Sequence, residues 1–484
     1  MVFGYIVLFS FPIVVAILFK RCDKPVALVA SLLVGYLLLP ERLKLDLPML
    51  PAFEKETIPA LAAFFILLFS QTVKDDVVMP SWRPKNWLSF AMIVALVVGA
   101  VGTTLTNGEA LTYGPTIVPG LRRIDALNSI LTTLMSLLPF LLARRYLAHP
   151  DAHKTILKLL VFAALGYSFL ALYEVRMSPQ LNNMVYGFFP HSFLQHIRGD
   201  GFRPLVFLNH GLWLSIFFAT SILAAIGLVR LHNKEHRMMY VYIAVWLLFT
   251  LVLSKSLGAL LITIVLVPVA LLLRTRLQLL ICAGIAAVIL IYPILRGGGM
   301  IPIDGILAWA EGFSPRRAQS FGFRVFNEDQ LLERAELKPL FGWGGWNRSA
   351  IFDKWGRATS VADGYWIITV GMGGWVRYLS EFGLLCLPVV ILAVRARKME
   401  ISLETSILIL MLTANLVDLI PNATITPLTW MLAGTLWGRI ELGRINAPVE
   451  LPPERGPISY TRFGKDRGVP VQRQQTQHFR PRVN

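Results

Sequence analysis

Residues 205–229, 257–273 and 277–295 contain no Asp, Glu, Lys or Arg at all. As helices, apolar runs of about 18 to 20 residues span the hydrocarbon core of a bilayer. Lipid offers no hydrogen-bond partners, so a chain crossing it must be helical or a closed barrel. A barrel would alternate apolar and polar residues along strands of about 10 residues, which these runs do not do. The chain is 55% hydrophobic and only 15% charged, against about 25% charged in ordinary soluble domains. The expectation is an all-α, polytopic transmembrane helical bundle.

Hydropathy places spans at 2–19, 25–39, 57–73, 87–105, 126–142, 155–174, 205–229, 238–253, 257–273, 277–295, 368–394, 402–420 and 424–437, twelve or thirteen helices with the last one short. The first run has no basic residue before it and is followed by Lys20, Arg21 and Lys24. That order is reversed for a cleaved signal and suits a retained first helix with its N-terminus outside. Alternate loops hold Lys20-Arg21, Lys74 with Arg83 and Lys85, Arg144-Arg145, Arg230 with Lys234 and Arg237, Arg274 with Arg276, and Arg395-Arg397-Lys398. The opposite loops are poorer in basic residues, so the first set is expected on the cytoplasmic side. Much of the formal net charge of +17 is this topology signal, and it makes no case for nucleic acid.

The expected division is therefore helices one to ten over 1–295, a large extracytoplasmic loop with interfacial helices over 296–367, the remaining helices over 368–440, and a basic, disordered cytoplasmic tail over 441–484. The tail carries Arg444, Arg455, Arg462, Lys465, Arg467, Arg473, Arg480 and Arg482 among Pro and Gln, a composition that stays unfolded and suits contact with anionic lipid. The three cysteines are scattered, without metal-binding or disulfide spacing.

Basic residues on the outer side are the main chemical clue. Most belong to a solvated loop surface. Arg203, one residue before Pro204 at the mouth of a long apolar run, is different: its guanidinium fork can bind phosphate oxygens bidentately at the membrane surface. Lys255 occupies a three-residue turn, Ser254-Lys255-Ser256, between two apolar runs. There it serves either as a functional cation or as a snorkelling one. In the large loop, Val325, Phe326, Leu331, Leu332 and Leu337 alternate with charged residues, as in a helix lying on the membrane. That helix is expected to begin near Arg324 and to end before Pro339.

Arg324, this helix and Pro339-Leu-Phe-Gly-Trp-Gly344 together resemble the loop signature of the O-antigen ligase and polymerase superfamily. Gly201-Phe-Arg203-Pro-Leu-Val-Phe-Leu-Asn209 is similar to that family's Arg-containing segment before a helix, and Ser254-Lys-Ser256-Leu-Gly258 to its Ser-Arg-Gly helix start. Ala362-Asp363-Gly-Tyr-Trp366 and Leu379-Ser-Glu381-Phe-Gly383 stand where the family has His-Asn and Glu-x-Gly-Leu elements. The resemblance covers roughly residues 200–390. It implies a metal-independent, cofactor-free, inverting glycosyltransferase of the bacterial cytoplasmic membrane, which polymerises or ligates glycan carried on undecaprenyl diphosphate. Arg203, Lys255 and Arg324 would hold the diphosphate, Arg203 and Arg324 would act catalytically, and Asp363 would stand in for a catalytic His as the base. Glu381, Asn209 and His210 would be supporting residues; Glu381 can pair with Arg377 one turn earlier, and His210 reads as a helix-end hydrogen bonder. Two departures are plain: Leu257 replaces the family's Arg after Ser256, and Asp363 replaces its His.

Two other readings start from the same residues. A flippase or transporter of a lipid-linked or anionic solute would use the arginines as a binding site, but would carry repeats, broken helices and charges at the membrane midplane. A scaffold working through its basic tail would leave Arg203, Lys255 and Arg324 unexplained.

Overall fold

The computed structural model describes residues 2–47, 50–70, 79–199 and 201–443. The expected tail from Arg444 onward and the Lys74 loop position lie outside the described residues. The protein is 70% helical with 4% strand, an all-α fold. Among the described residues, seven helical segments are long and apolar enough to cross a membrane by length and composition: Val2–Arg21, Trp87–Leu105, Arg123–Tyr146 (bent at Leu137), Pro150–Met177, Gly211–Leu231, Lys234–Leu253 and Tyr365–Arg395. Lys24–Leu38, Ile58–Phe69, Leu257–Leu272 and Thr275–Leu290 are shorter apolar helices, and Leu403–Asp418 and Pro427–Leu442 complete the thirteen expected segments.

Gly211–Leu231 is the central helix, buried along nearly its whole length, whereas Val2–Arg21 buries only Gly4, Leu8, Phe11 and Val15. The peripheral helices turn large apolar side chains outward, among them Phe65, Phe69, Val98, Phe169, Tyr242 and Val245. An outward apolar surface of this extent calls for a lipid or protein covering rather than water.

Several boundaries differ from the sequence reading. Residues 123–146 form two helices meeting at Leu137, just ahead of Pro139, whose missing N–H breaks the ladder. The run at 205 does not start a helix; the helix starts at Gly211. Residues 204–210 form a buried loop with Val206 at φ 57°, because the Glu174 carboxylate accepts from the backbone N–H of Leu205 (2.8 Å) and Val206 (2.7 Å) and so captures donors that a helix would use. The helix expected from Arg324 begins at Pro315, so Arg324 lies mid-helix in Pro315–Glu336. An additional amphipathic helix, Ile303–Phe313, precedes it.

The loops segregate into two ends. At one end, Lys55 Nζ donates to Phe207 O (2.6 Å), Arg203 to Lys255 O, Arg324 to Pro421 O, and Arg348 to Glu109 O and Pro119 O. The large loop is thus one part of a larger cap that includes 39–47, 50–57, 106–122, 178–199, 201–210 and 419–426. At the other end, Arg144 pairs with Glu441 (2.5 Å) and donates to Ser81 O and Trp82 O. These are the loops the basic-residue count groups together.

Tyr365–Arg395 is interrupted at Gly374 (φ 64°, ψ −165°). The Pro339–Gly344 turn repairs the gap. Pro339 O and Leu340 O accept from the N–H groups of Trp375 (2.7 Å) and Val376 (3.2 Å). Gly371 O and Met372 O accept from Trp343 (2.9 Å) and Gly344 (2.8 Å). A Cβ on Gly374 would strike the Leu340 carbonyl, and one on Gly342 (φ 63°) the backbone of Gly373 and Gly374. The glycines of this motif are therefore required by backbone-to-backbone docking.

Candidate functional site

The site is built from three breaks in the helical pattern. A short hairpin pairs Ile197 with Phe202 and Arg198 with Gly201, and its backbone continues into Arg203, whose N–H donates to His196 O at 2.7 Å. Pro204 and the Glu174 clamp then fix the next residues. The Arg203 side chain is directed inward, 8% exposed. Its Nη2 donates to Lys255 O at 3.1 Å, and its buried Nε has no partner among the described residues.

Lys255 sits at φ 52° in the turn between Lys234–Leu253 and Leu257–Leu272. That left-handed conformation is costly for a residue with a side chain, and here it aims the Lys255 carbonyl at Arg203. The Lys255 ammonium donates to Arg198 O at 2.8 Å. Arg324, from Pro315–Glu336, donates through Nη1 to Pro421 O (3.1 Å) and Asn422 Oδ1 (3.3 Å), while its Nε lies 3.3 Å from Asp363 Oδ2.

Arg203, Lys255 and Arg324, 121 positions apart from first to last, line a single cavity of about 840 Å³ together with Arg198. Asp418 and Asn422 form part of the same wall, and Leu212, Val252, Leu257, Ala259 and Leu260 give it an apolar flank. Asp418 is held by Asn422 Nδ2 (2.9 Å) and Thr424 Oγ1 (2.6 Å). Burial, with the like charges of Arg198 and Arg324, lowers the Arg203 pKa to about 10. A guanidinium at that value is still cationic at neutral pH. A buried guanidinium with an orphaned N–H, ringed by three further cations, is an arrangement suited to an anion. The adjoining apolar wall suits an anion attached to a hydrocarbon chain.

The other candidates lie outside this lining. Asp363 pairs with Arg324 at 3.3 Å without itself lining the cavity. Glu381 is buried and accepts from Arg377 Nε (2.9 Å) and Tyr365 OH (2.7 Å), facing a separate chamber. His210 caps Gly211–Leu231, its Nδ1 accepting from Leu212 N–H at 3.1 Å. Burial, then the neighbouring His196 and Arg203, lower its pKa to about 3, which keeps it neutral. Asn209 Oδ1 is buried without a partner among the described residues. Sequence reasoning passed over Asp418, Asn422 and a wall role for Arg198. Asp418 ends an apolar helix and gives no signal beyond its charge there.

Neither a family model nor a curated protein matches the chain.

Proposed function

We propose that this is a multi-pass membrane glycosyltransferase whose donor is a glycan on a polyprenyl diphosphate, handled at the outer face of the bacterial cytoplasmic membrane. The observation that carries the reading is the convergence of Arg203, Lys255 and Arg324 on one cavity with an apolar flank. In this reading the outward apolar helix faces lie in lipid, the basic-poor loops form the outer cap, and the cavity opens where a lipid-linked diphosphate would stand.

The reaction transfers the glycan to an acceptor hydroxyl. The hydroxyl loses its proton to a carboxylate base, its oxygen attacks the anomeric carbon, and the bond from that carbon to the diphosphate oxygen breaks with inversion. The electron pair leaves with the diphosphate, where Arg203 and Arg324 stabilise the developing charge. Asp363 is the proposed base; the support for it is its pairing with Arg324 at 3.3 Å, although it does not itself line the cavity. Asp418, in the cavity wall, is the competing carboxylate.

The same site would serve a flippase of lipid-linked solutes. The transferase is favoured by the central helix Gly211–Leu231, whose only ionisable side chain is Arg230 at its last turn; the break at Gly374 with the Arg377–Glu381 pair beyond it is a feature a flippase would share. Membranes supplied with a lipid-linked repeat unit separate the two, since a flippase forms no glycosidic bond. Loss of long-chain surface glycan in Arg203→Ala, Arg324→Ala and Asp363→Ala variants is expected. Normal glycan in all three at normal protein levels would overturn the assignment, and loss in Asp418→Asn but not Asp363→Asn would move the base to Asp418.

A further inference from the structure

A second chamber lies on the other side of the 419–427 segment. It measures about 360 Å³ and is lined by Glu54, Glu56, Trp346, Tyr365, Arg377 and Glu381. An adjoining hollow of about 250 Å³ shares Asn128, Thr133, Trp346 and Arg377 with it. The segment between the chambers gives Pro421 and Asn422 to the anion cavity, and Ile425, Thr426 and Pro427 to this one.

Its chemistry is the opposite of the first cavity's. The two cations here are already matched: Lys44 pairs with Asp46 (3.2 Å) and Arg377 with Glu381 (2.9 Å). Glu54 and Glu56 add carboxyl groups beyond those pairs; burial, then neighbouring acids, raise the Glu54 pKa and push that of Glu56 up to about 8, as expected where negative charge is crowded. Trp346 lines both hollows, 71% exposed, at φ 59° with Asn347 at φ 57° after it. Two successive left-handed residues with side chains are a costly backbone. The Asn128 Oδ1 on the shared wall is buried without a partner among the described residues. An exposed indole face, spare carboxylates, an amide oxygen and threonine hydroxyls are the groups that hold a pyranose: the ring's C–H face stacks on the indole, and its hydroxyls donate to the oxygens.

We propose that this chamber binds a saccharide that is uncharged or amino-bearing, and discriminates against acidic sugars. It rests on the transferase reading in that the bound saccharide would be the acceptor, but the binding itself can be measured without turnover. The full chain, purified in detergent, is titrated with an N-acetylglucosamine tetramer, a glucosamine tetramer and a galacturonic acid tetramer, following tryptophan fluorescence and calorimetric heat. The neutral and amino tetramers are expected to bind at least tenfold more tightly than the acidic one. Trp346→Ala should weaken both by tenfold or more, and Glu54→Gln with Glu56→Gln should narrow the gap to the acidic tetramer. None of these variants should change binding of a polyprenyl diphosphate to the first cavity, which also reports that they fold. Absence of saccharide binding, or equal affinity for the acidic tetramer, overturns the proposal. If saccharides bind as expected while polyprenyl diphosphate does not, the chamber stands and the donor reading falls.

Discussion

Arg203 reaches across 52 residues of sequence to donate to the backbone carbonyl of Lys255 at 3.1 Å, and its Nε is left buried and unpartnered among the described residues. One edge of the guanidinium fork is thus committed to positioning, and another is held ready for a ligand oxygen. Arg203→Ala should lower transfer from a lipid-linked donor by about 10²- to 10³-fold, the usual cost of removing one donor to a developing oxyanion. Arg203→Lys keeps the charge but cannot hold the Lys255 carbonyl and a ligand in one plane, so it should recover only part of the rate. Full activity in the lysine variant would show that charge alone suffices.

The position of Arg203 depends on Glu174. That carboxylate accepts from Leu181, Leu205 and Val206 N–H groups and is fully buried. Glu174→Ala strands two buried donors, Leu205 and Val206 N–H, and the part-buried Leu181 N–H, each buried one costing about 1–3 kcal/mol. The variant should melt well below the parent in detergent, and polyprenyl diphosphate binding should fall although Glu174 touches no ligand. A variant with parental melting behaviour would mean that the 204–208 loop is held by something else.

The legibility of the site follows from physics at particular residues. Arg203 and Lys255 were readable because each is a charge at an interruption in apolar sequence, where its cost demands a reason; Arg324, in a charge-rich helix, was readable only through the motif that follows it. That they share one site was expected only through the family resemblance; the contacts that bring them together, through Glu174, Pro421 and Asn422, lie far apart along the chain and were not legible. The start of the central helix was misplaced because Leu205, Val206, Phe207 and Leu208 are apolar for packing as a loop, and periodicity cannot separate a buried loop from a buried helix. The break at Gly374 was hidden for the same reason: its repair comes from Pro339–Gly344, a motif visible in sequence without its partner.

Gly374 offers a direct test of that repair. Gly374→Ala would place a Cβ against the Leu340 carbonyl at a φ of 64°, which costs on the order of 1–3 kcal/mol. Thermal melting should drop accordingly, and protease sensitivity should rise around 339–346 as the turn leaves the helix gap. Alanine tolerated without either change would argue that the helix can close over the break.

Glu328 gives the protein a pH dependence with a definite sign. It lies on Pro315–Glu336, 8% exposed, beside the pairing of Arg296 with Asp329. Burial, only partly offset by the Arg296 charge, raises its pKa from the ordinary 4.5 to about 7. The folded state therefore holds a proton that the unfolded state releases near pH 4.5. Stability from this group is full below that pH, is lost progressively as pH rises to about 7, and is level above it. The loss is on the order of 3 kcal/mol for a shift of this size. Glu328→Gln keeps the shape without the ionisation, so it should melt higher than the parent at pH 8 and about equally at pH 4.5. Melting curves of both proteins in detergent across that range check it. A parent whose stability does not fall between pH 4.5 and 7, or a variant with the same slope, would place the titrating group elsewhere.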